Sequence, residues 1–153
     1  LALNEELIMT NATKTPWHLW AVGIFGILWT SMGAMDFVLT QGGSEAYLSQ
    51  FSPEERTFFT GIPGWAVVFW GLSIGTGILG SLVLLFRSRL AVPIYWVSLA
   101  SFIIVSIQNY LIASPNMLSV VGTFASIFSL VIFLVVVGLL YYAMRMQARG
   151  VLR

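Results

Sequence analysis

The sequence predicts an all-α fold: an integral membrane bundle of four helices, with both termini cytoplasmic. Three observations lead to this prediction. Only 8% of the 153 residues are charged and 58% are hydrophobic, whereas a soluble domain carries about 25% charged residues. The apolar residues form four runs, each long enough for the ~20 residues that a helix needs to cross a bilayer. Nearly all basic residues lie on one side of those runs, which predicts the orientation.

Composition also limits the chemistry that the chain can perform. It contains no cysteine and a single histidine, and its net charge is +1. Disulfides and thiolate metal sites are therefore excluded, and the few scattered acidic residues indicate no other metal site. The sequence indicates no cofactor and no nucleic-acid partner. The partners that it does predict are membrane lipids and other integral membrane proteins.

The predicted spans cover about residues 17–40, 62–86, 90–113 and 118–144. They divide the chain into an N-terminal cytoplasmic segment (1–16), a transmembrane domain (17–144) and a basic cytoplasmic tail (145–153). Met9 opens the stretch "MTNATKTPWHLW" and is a second candidate for the natural start besides Leu1. The first span lacks the basic start and small-residue cleavage site of a signal peptide.

The distribution of basic residues determines the predicted orientation. Arg56 is the one basic residue on the side of the connection between spans one and two. Six others flank the opposite ends of the spans: Lys14, Arg87, Arg89, Arg145, Arg149 and Arg153. Because basic residues accumulate on the cytoplasmic side, residues 41–61 are predicted to face outside.

The connection between spans one and two predicts two short helices. Ser44 and Glu45 form one candidate start. Ser52, Pro53 and the acidic pair that follows form a stronger one, with a capping serine, proline at the first helical position and acids at the positive end of the dipole.

Asp36 is the acidic residue whose depth matters most. It lies about 19 residues after Trp17, or roughly 28 Å along a helix, near the outer edge of the hydrocarbon. Gln108 and Asn109 fall at the same depth in span three, so the three residues form a candidate outer polar layer, with Thr123 as a further candidate. We favour an interhelical hydrogen bond over a proton or cation site, because an acid at the rim costs less than one at the midplane.

Small residues predict close helix packing. Gly26 and Gly33 lie on one face of span one, and Ser73, Gly77 and Ser81 recur at intervals of four along span two. Such positions let membrane helices approach closely. Besides these, His18 is interpreted as an interfacial anchor. Three tryptophans lie deep in the spans: Trp29, Trp70 and Trp96. Four helices can pack without so many large aromatic side chains there.

Several stretches resemble a family of small bacterial inner-membrane proteins that often carry the automatic name "sugar transporter". The stretches are "PWHLW", "GILWTSMGAMDFVLTQ", "EAYLSQFSPEE", "LLFRSRLAVP" and "ARGVLR". The resemblance spans nearly everything from Pro16 to Arg153. It implies a bacterial protein with four membrane helices, and it brings no catalytic residues with it.

These observations favour a non-catalytic accessory or structural subunit that packs beside a larger membrane complex, such as a respiratory or photosynthetic one. An enzyme would need convergent catalytic groups, and the sequence offers none. The alternative is a transporter of a small, sugar-like solute acting as a homodimer. A transporter needs a polar path at the midplane, where this sequence is almost wholly apolar.

Overall fold

A computed structural model of the chain describes residues 1–2 and 13–153, which form helices and no strand. The helices are α1 (Trp17–Gln41), α2 (Glu45–Leu48), α3 (Pro53–Thr60), α4 (Gly64–Leu85), α5 (Ala91–Ile107) and α6 (Met117–Ala148). A π-helical turn, Gln108–Ile112, continues α5. The all-α prediction is confirmed. Met9 and most of the predicted N-terminal segment lie outside the described residues.

Four of these helices are long and apolar enough to cross a membrane: α1, α4, α5 with its π turn, and α6. The prediction of four candidate spans is therefore confirmed. The connection end of the molecule carries residues 42–63 and the turn 113–116, and the terminal end carries residues 13–16, 86–90 and 149–153.

α4 is the central helix of the assembly. It packs along α1 on one side and α5 on the other, and α6 packs mainly against α5. The largest group of buried side chains lies in the terminal half, where Leu19, Leu84, Tyr95, Leu139 and Leu152 meet. The apolar core is therefore concentrated in the half of the molecule away from the connection between α1 and α4.

Small and hydroxyl residues bring α4 close to its neighbours. Ser73 and Ser98 exchange hydrogen bonds, each Oγ donating to the other residue's carbonyl oxygen at 3.0 and 2.7 Å. Ser81 is fully buried and shares a hydrogen bond of 2.9 Å with the Tyr95 hydroxyl. These buried serine and tyrosine hydroxyls therefore have partners, as a low-dielectric interior demands, whereas the buried Tyr110 hydroxyl has none within the described residues.

At the terminal end, residues 87–89 and 151–153 form a structure that we call the terminal clasp. Arg153 N–H donates to the Arg87 carbonyl at 2.6 Å, and Arg89 N–H donates to the Arg153 carbonyl at 3.0 Å. The Arg87 Nε also donates to the Val151 carbonyl at 3.2 Å. Leu152 is fully buried in the core. The segment predicted as a basic tail is thus hydrogen-bonded to the turn between α4 and α5.

α6 is interrupted near the connection end. Gly122 has φ 78° and ψ −178°, a backbone region that is essentially restricted to glycine. Beyond the break, residues 123–135 contain no buried side chain, and the buried positions of α6 begin at Val136. Ile132, Phe133 and Val135 are partly buried against the core, so the loosely packed part of α6 is the stretch 123–131.

Candidate functional site

Asp36 lies at the connection end of α1, one turn before the helix ends. Its Oδ1 accepts a hydrogen bond of 2.6 Å from the Tyr47 hydroxyl and one of 3.3 Å from Thr40 Oγ1. Thr40 follows one helical turn later on the same face, and α2 carries Tyr47 back over it. Burial and the adjacent carboxylate raise the pKa of Tyr47 to about 12. The carboxylate is thus partnered by hydroxyls from its own helix and from the next one.

α2 and α3 hold the connection in place above this cluster. Ser52 caps α3 by accepting from Glu55 N–H at 3.2 Å, and Glu55 Oε2 accepts from Ser52 N–H at 2.8 Å. This reciprocal capping box satisfies two donors that the helix start would leave unpaired. Arg56 forms an ion pair of 2.6 Å with Glu45 across the two helices, which at a solvated position adds little stability.

Gln108 occupies the start of the π turn. The Ala113 N–H donates to the Gln108 carbonyl at 2.8 Å, a five-residue spacing that widens the helix. π turns of this kind occur frequently at functional sites. The Gln108 side chain is only 6% exposed and makes no hydrogen bond with any residue in 13–153.

An open cavity of about 610 Å³ lies beside Gln108 at the connection end. α3, the start of α4, the π turn and the start of α6 enclose it. The polar lining residues are Glu54, Thr57, Gln108, Asn109 and Ser114. The remaining lining residues are Pro53, Phe58, Gly61, Ile62, Pro63, Ala113, Pro115 and Val120. Its size is that of a small-molecule site.

The structure divides the predicted polar layer into two places. Gln108 and Asn109 line the cavity together, whereas Asp36 does not belong to its lining. Within the described residues, the side-chain hydrogen bonds of Asp36 go to Thr40 and Tyr47 and not to either amide. A layer shared by all three residues stays a prediction.

Sequence analysis missed the role of Tyr47. It singled out Asp36 and assigned no role to this residue, although a tyrosine beside a carboxylate has a donor to offer. The signal was the spacing: Asp36 and Tyr47 are 11 residues apart, so a tight connection after α1 returns the hydroxyl over the helix end. Thr123, the further candidate, is exposed at the connection end.

The predicted packing residues lie on two seams of α4. A Cβ added to Gly26 of α1 would overlap Ser81 Oγ, and one added to Gly77 would lie 2.8 Å from Thr30 Cγ2. Gly33 has more room, since an added Cβ would meet Ile74 at 3.9 Å. Gly26, Gly77 and Ser81 therefore lie at the closest approach, and Gly33 lies at ordinary contact distance.

The three deep tryptophans differ in their surroundings. Trp29 lies 5.9 Å from the Phe25 ring and 6.2 Å from the Phe128 ring, and Trp70 packs edge to face with Phe37 at 5.0 Å. Trp96 is 51% exposed. Two of the three thus contact aromatic side chains of the chain itself, while Trp96 presents its ring outwards.

His18 pairs with α6 at the terminal end. Its Nδ1 lies 2.5 Å from the Tyr142 hydroxyl, which joins the first and last spans. Among residues 1–2 and 13–153, His, Asp and Glu side chains form no group of three that could hold a metal ion. No protein-family model, curated protein or solved structure matches the chain.

Proposed function

We propose that this chain is a small, non-catalytic integral membrane protein of the bacterial inner membrane, which packs as an accessory or structural subunit beside a larger membrane complex. The observation that carries the proposal is the exposure of α6 next to the connection end. Its connection half is strongly apolar, yet residues 123–135 contain no buried side chain. Ile132, Phe133 and Val135 are partly buried against the core, and the exposed surface of the remaining residues, towards Phe124, is available for another protein.

Aromatic side chains support a protein partner on this surface. Phe124 is 88% exposed and Phe128 is 52% exposed on α6, and Trp96 adds a half-exposed ring on α5. Large aromatic residues are enriched in protein interfaces. Small subunits with such surfaces lie at the edges of respiratory and photosynthetic complexes. The kind of complex that we propose rests on that analogy.

The orientation that we propose has the terminal end in the cytoplasm and α2 and α3 outside. It is supported by the six basic residues that flank the terminal end against Arg56 alone in the connection. The chain has no cysteine of its own, so single cysteines at Ser49 and Gln147, both exposed, report the two sides. An impermeant thiol reagent added to intact cells should label only the first, and equal labelling of both would contradict the orientation.

A homodimeric transporter of a small, sugar-like solute is the alternative. The break at Gly122, the π turn and the open cavity favour it, because transporter sites often use interrupted helices. Against it, the terminal half of the core is apolar around Leu99, Val136 and Leu140. A polar path would have to pass between two copies of the chain.

Mild detergent extraction from native membranes, followed by native electrophoresis and mass spectrometry, tests the proposal. We expect the protein at defined stoichiometry with larger membrane proteins. Phe124→Ala should reduce that association, while Met35→Ala, an exposed apolar residue on α1 (61% exposed), serves as the matched control. Recovery as a homodimer alone, with solute uptake in liposomes that Asp36→Ala abolishes, would favour the transporter instead.

A further inference from the structure

The cavity at the connection end contains a buried polar side chain without a partner. Gln108 is 6% exposed and lines the cavity, and its amide makes no hydrogen bond within residues 13–153. Buried polar groups in folded proteins are almost always hydrogen-bonded. The amide is reachable only from the open cavity, so its hydrogen-bonding capacity is available to a molecule that enters there.

The charge of the lining indicates which kind of ligand the cavity binds. Among the described residues that line the cavity, Glu54 is the one charged side chain. The connection end also carries Glu55, while the Arg56 guanidinium is paired with Glu45 and does not line this cavity. Helix ends do not decide the sign, because ends of both kinds surround the cavity: the starts of α3, α4 and α6, and the C-terminal ends of α3 and of the π turn. The carboxylate favours a cation.

We infer that this cavity binds a primary ammonium group. Three residues that carry side-chain oxygen acceptors line it: Glu54, Gln108 and Asn109. An ammonium carries three N–H donors, and its bond to a carboxylate is charge-assisted. Phe58 adds an aromatic ring to the lining, and such a ring attracts cations.

Two sources can supply this group: the headgroup of phosphatidylethanolamine and a free small amine in solution. The chemistry that the cavity recognises is the same for both. The inference is independent of the proposed subunit role, because it concerns a cavity at the connection end and not the exposed face of α6.

Two binding measurements on the full-length protein separate the sources. Calorimetric titration of the detergent-purified protein with ethanolamine, against uncharged N-acetylethanolamine, measures binding of a free amine. Native mass spectrometry of protein released from nanodiscs of equal phosphatidylethanolamine and phosphatidylcholine measures lipid retention. Phosphatidylcholine is the control because its quaternary nitrogen has no N–H to donate.

Glu54→Gln and Glu55→Gln form a matched pair of variants. Each removes one acid from the first turn of α3, but only Glu54 lines the cavity, and glutamine at position 55 retains the capping box. We expect Glu54→Gln to weaken binding about tenfold, as loss of one charge-assisted hydrogen bond would, and Glu55→Gln to change it by less than about twofold, as for a screened surface charge. Gln108→Met, which keeps the volume and removes the amide, should also weaken binding.

Preference for ethanolamine over its acetylated form assigns the site to a free amine, and preference for phosphatidylethanolamine alone assigns it to the lipid. Either result supports the inference. Absence of both preferences would overturn it, and so would an equal loss of binding in the Glu54→Gln and Glu55→Gln variants.

Discussion

Asp36 shows how a carboxylate at the end of a membrane helix is accommodated by the chain that follows it. The Tyr47 hydroxyl that donates to it comes from a helix only 11 residues further on, and closing so short a loop costs little entropy. A partner on α5 would have required two distant helices to place their polar groups at the same height. A partner from the following helix therefore costs less conformational entropy than a partner from α5.

The Asp36–Tyr47 pair should be visible in the titration of the tyrosine. Its pKa is raised to about 12 by burial and by the carboxylate, and an ordinary tyrosine titrates near 10. We expect Asp36→Asn to lower the pKa of Tyr47 in part while the protein stays folded, because the charge is removed whereas burial, the largest cause of the shift, and the hydrogen bond remain. Absorbance titration at alkaline pH, with Tyr47→Phe subtracted, isolates this tyrosine from the other four.

The raised pKa of Tyr47 also makes the stability of the folded protein depend on pH. A raised pKa means that the folded state favours the neutral hydroxyl, so the stabilisation is complete below about pH 10 and is lost as the pH rises towards 12. Tyr47→Phe should reduce the alkaline loss of stability by the share that Tyr47 contributes. An unchanged alkaline loss of stability in Tyr47→Phe would contradict the assignment.

At this scale the sequence predicted that Asp36, Gln108 and Asn109 matter, but not what they contact. Depth follows from counting residues along a helix, whereas the direction of a side chain depends on helix rotation and on local irregularities. The π turn at Gln108 is such an irregularity, and nothing in "SIQNYLI" marks it.

On the scale of helices, α4 has two seams because it packs against both α1 and α5. Gly77 lies where the seams meet: an added Cβ would lie 2.8 Å from Thr30 Cγ2 of α1 and 3.4 Å from Ser98 Oγ of α5. Gly75, two residues earlier in the same helix, is exposed and would meet nothing within 4 Å. The two glycines therefore provide a matched comparison.

We expect Gly77→Leu to destabilise the protein by about 1–3 kcal/mol or more, the usual cost of overpacking, because neither neighbour has room to move aside. Gly75→Leu should leave stability nearly unchanged. The measurement is unfolding in detergent monitored by tryptophan fluorescence. Equal midpoints for the two variants would show that the seam is looser than the contacts imply.

The helices themselves were predictable to a useful degree. α1, α4 and α5 with its π turn end within two residues of the predicted spans, because long apolar runs leave few alternatives in a membrane. α6 continues to Ala148, four residues past its predicted end, since it extends towards the terminal clasp. The break at Gly122 could not be predicted, because glycine is also common inside unbroken membrane helices.

Across the whole molecule, the terminal clasp joins the turn between α4 and α5 to the end of α6. The basic residues in "RSR" and "ARGVLR" were interpreted from the sequence as orientation signals. In the structure, two of these arginines also donate to backbone carbonyls: Arg87 to Val151 and Arg89 to Leu152 at 3.4 Å. Such contacts between distant segments cannot be deduced from charge alone.

The clasp should make Leu152 important for stability. We expect Leu152→Ala to lower the free energy of unfolding by about 2–3 kcal/mol, as for other fully buried leucines. Leu90→Ala at the same end is the control, since Leu90 is 62% exposed. Denaturation in one detergent at one protein concentration compares them, and equal effects would argue against a clasp that contributes to the core.

The break at Gly122 also determines how bilayer thickness acts on the protein. An unbroken α6 of 32 residues would be roughly 48 Å long, against about 33 Å for the 22 residues of α4. Because the first five residues leave the helix axis at Gly122, the remaining 26 measure about 39 Å. A thinner membrane can then be matched by rotation at one glycine, with α1, α4 and α5 undisturbed, whereas a continuous helix would have to tilt against α5. Hydrophobic mismatch would therefore be relieved at the rim of the cavity, which makes the shape of that cavity responsive to the surrounding lipid.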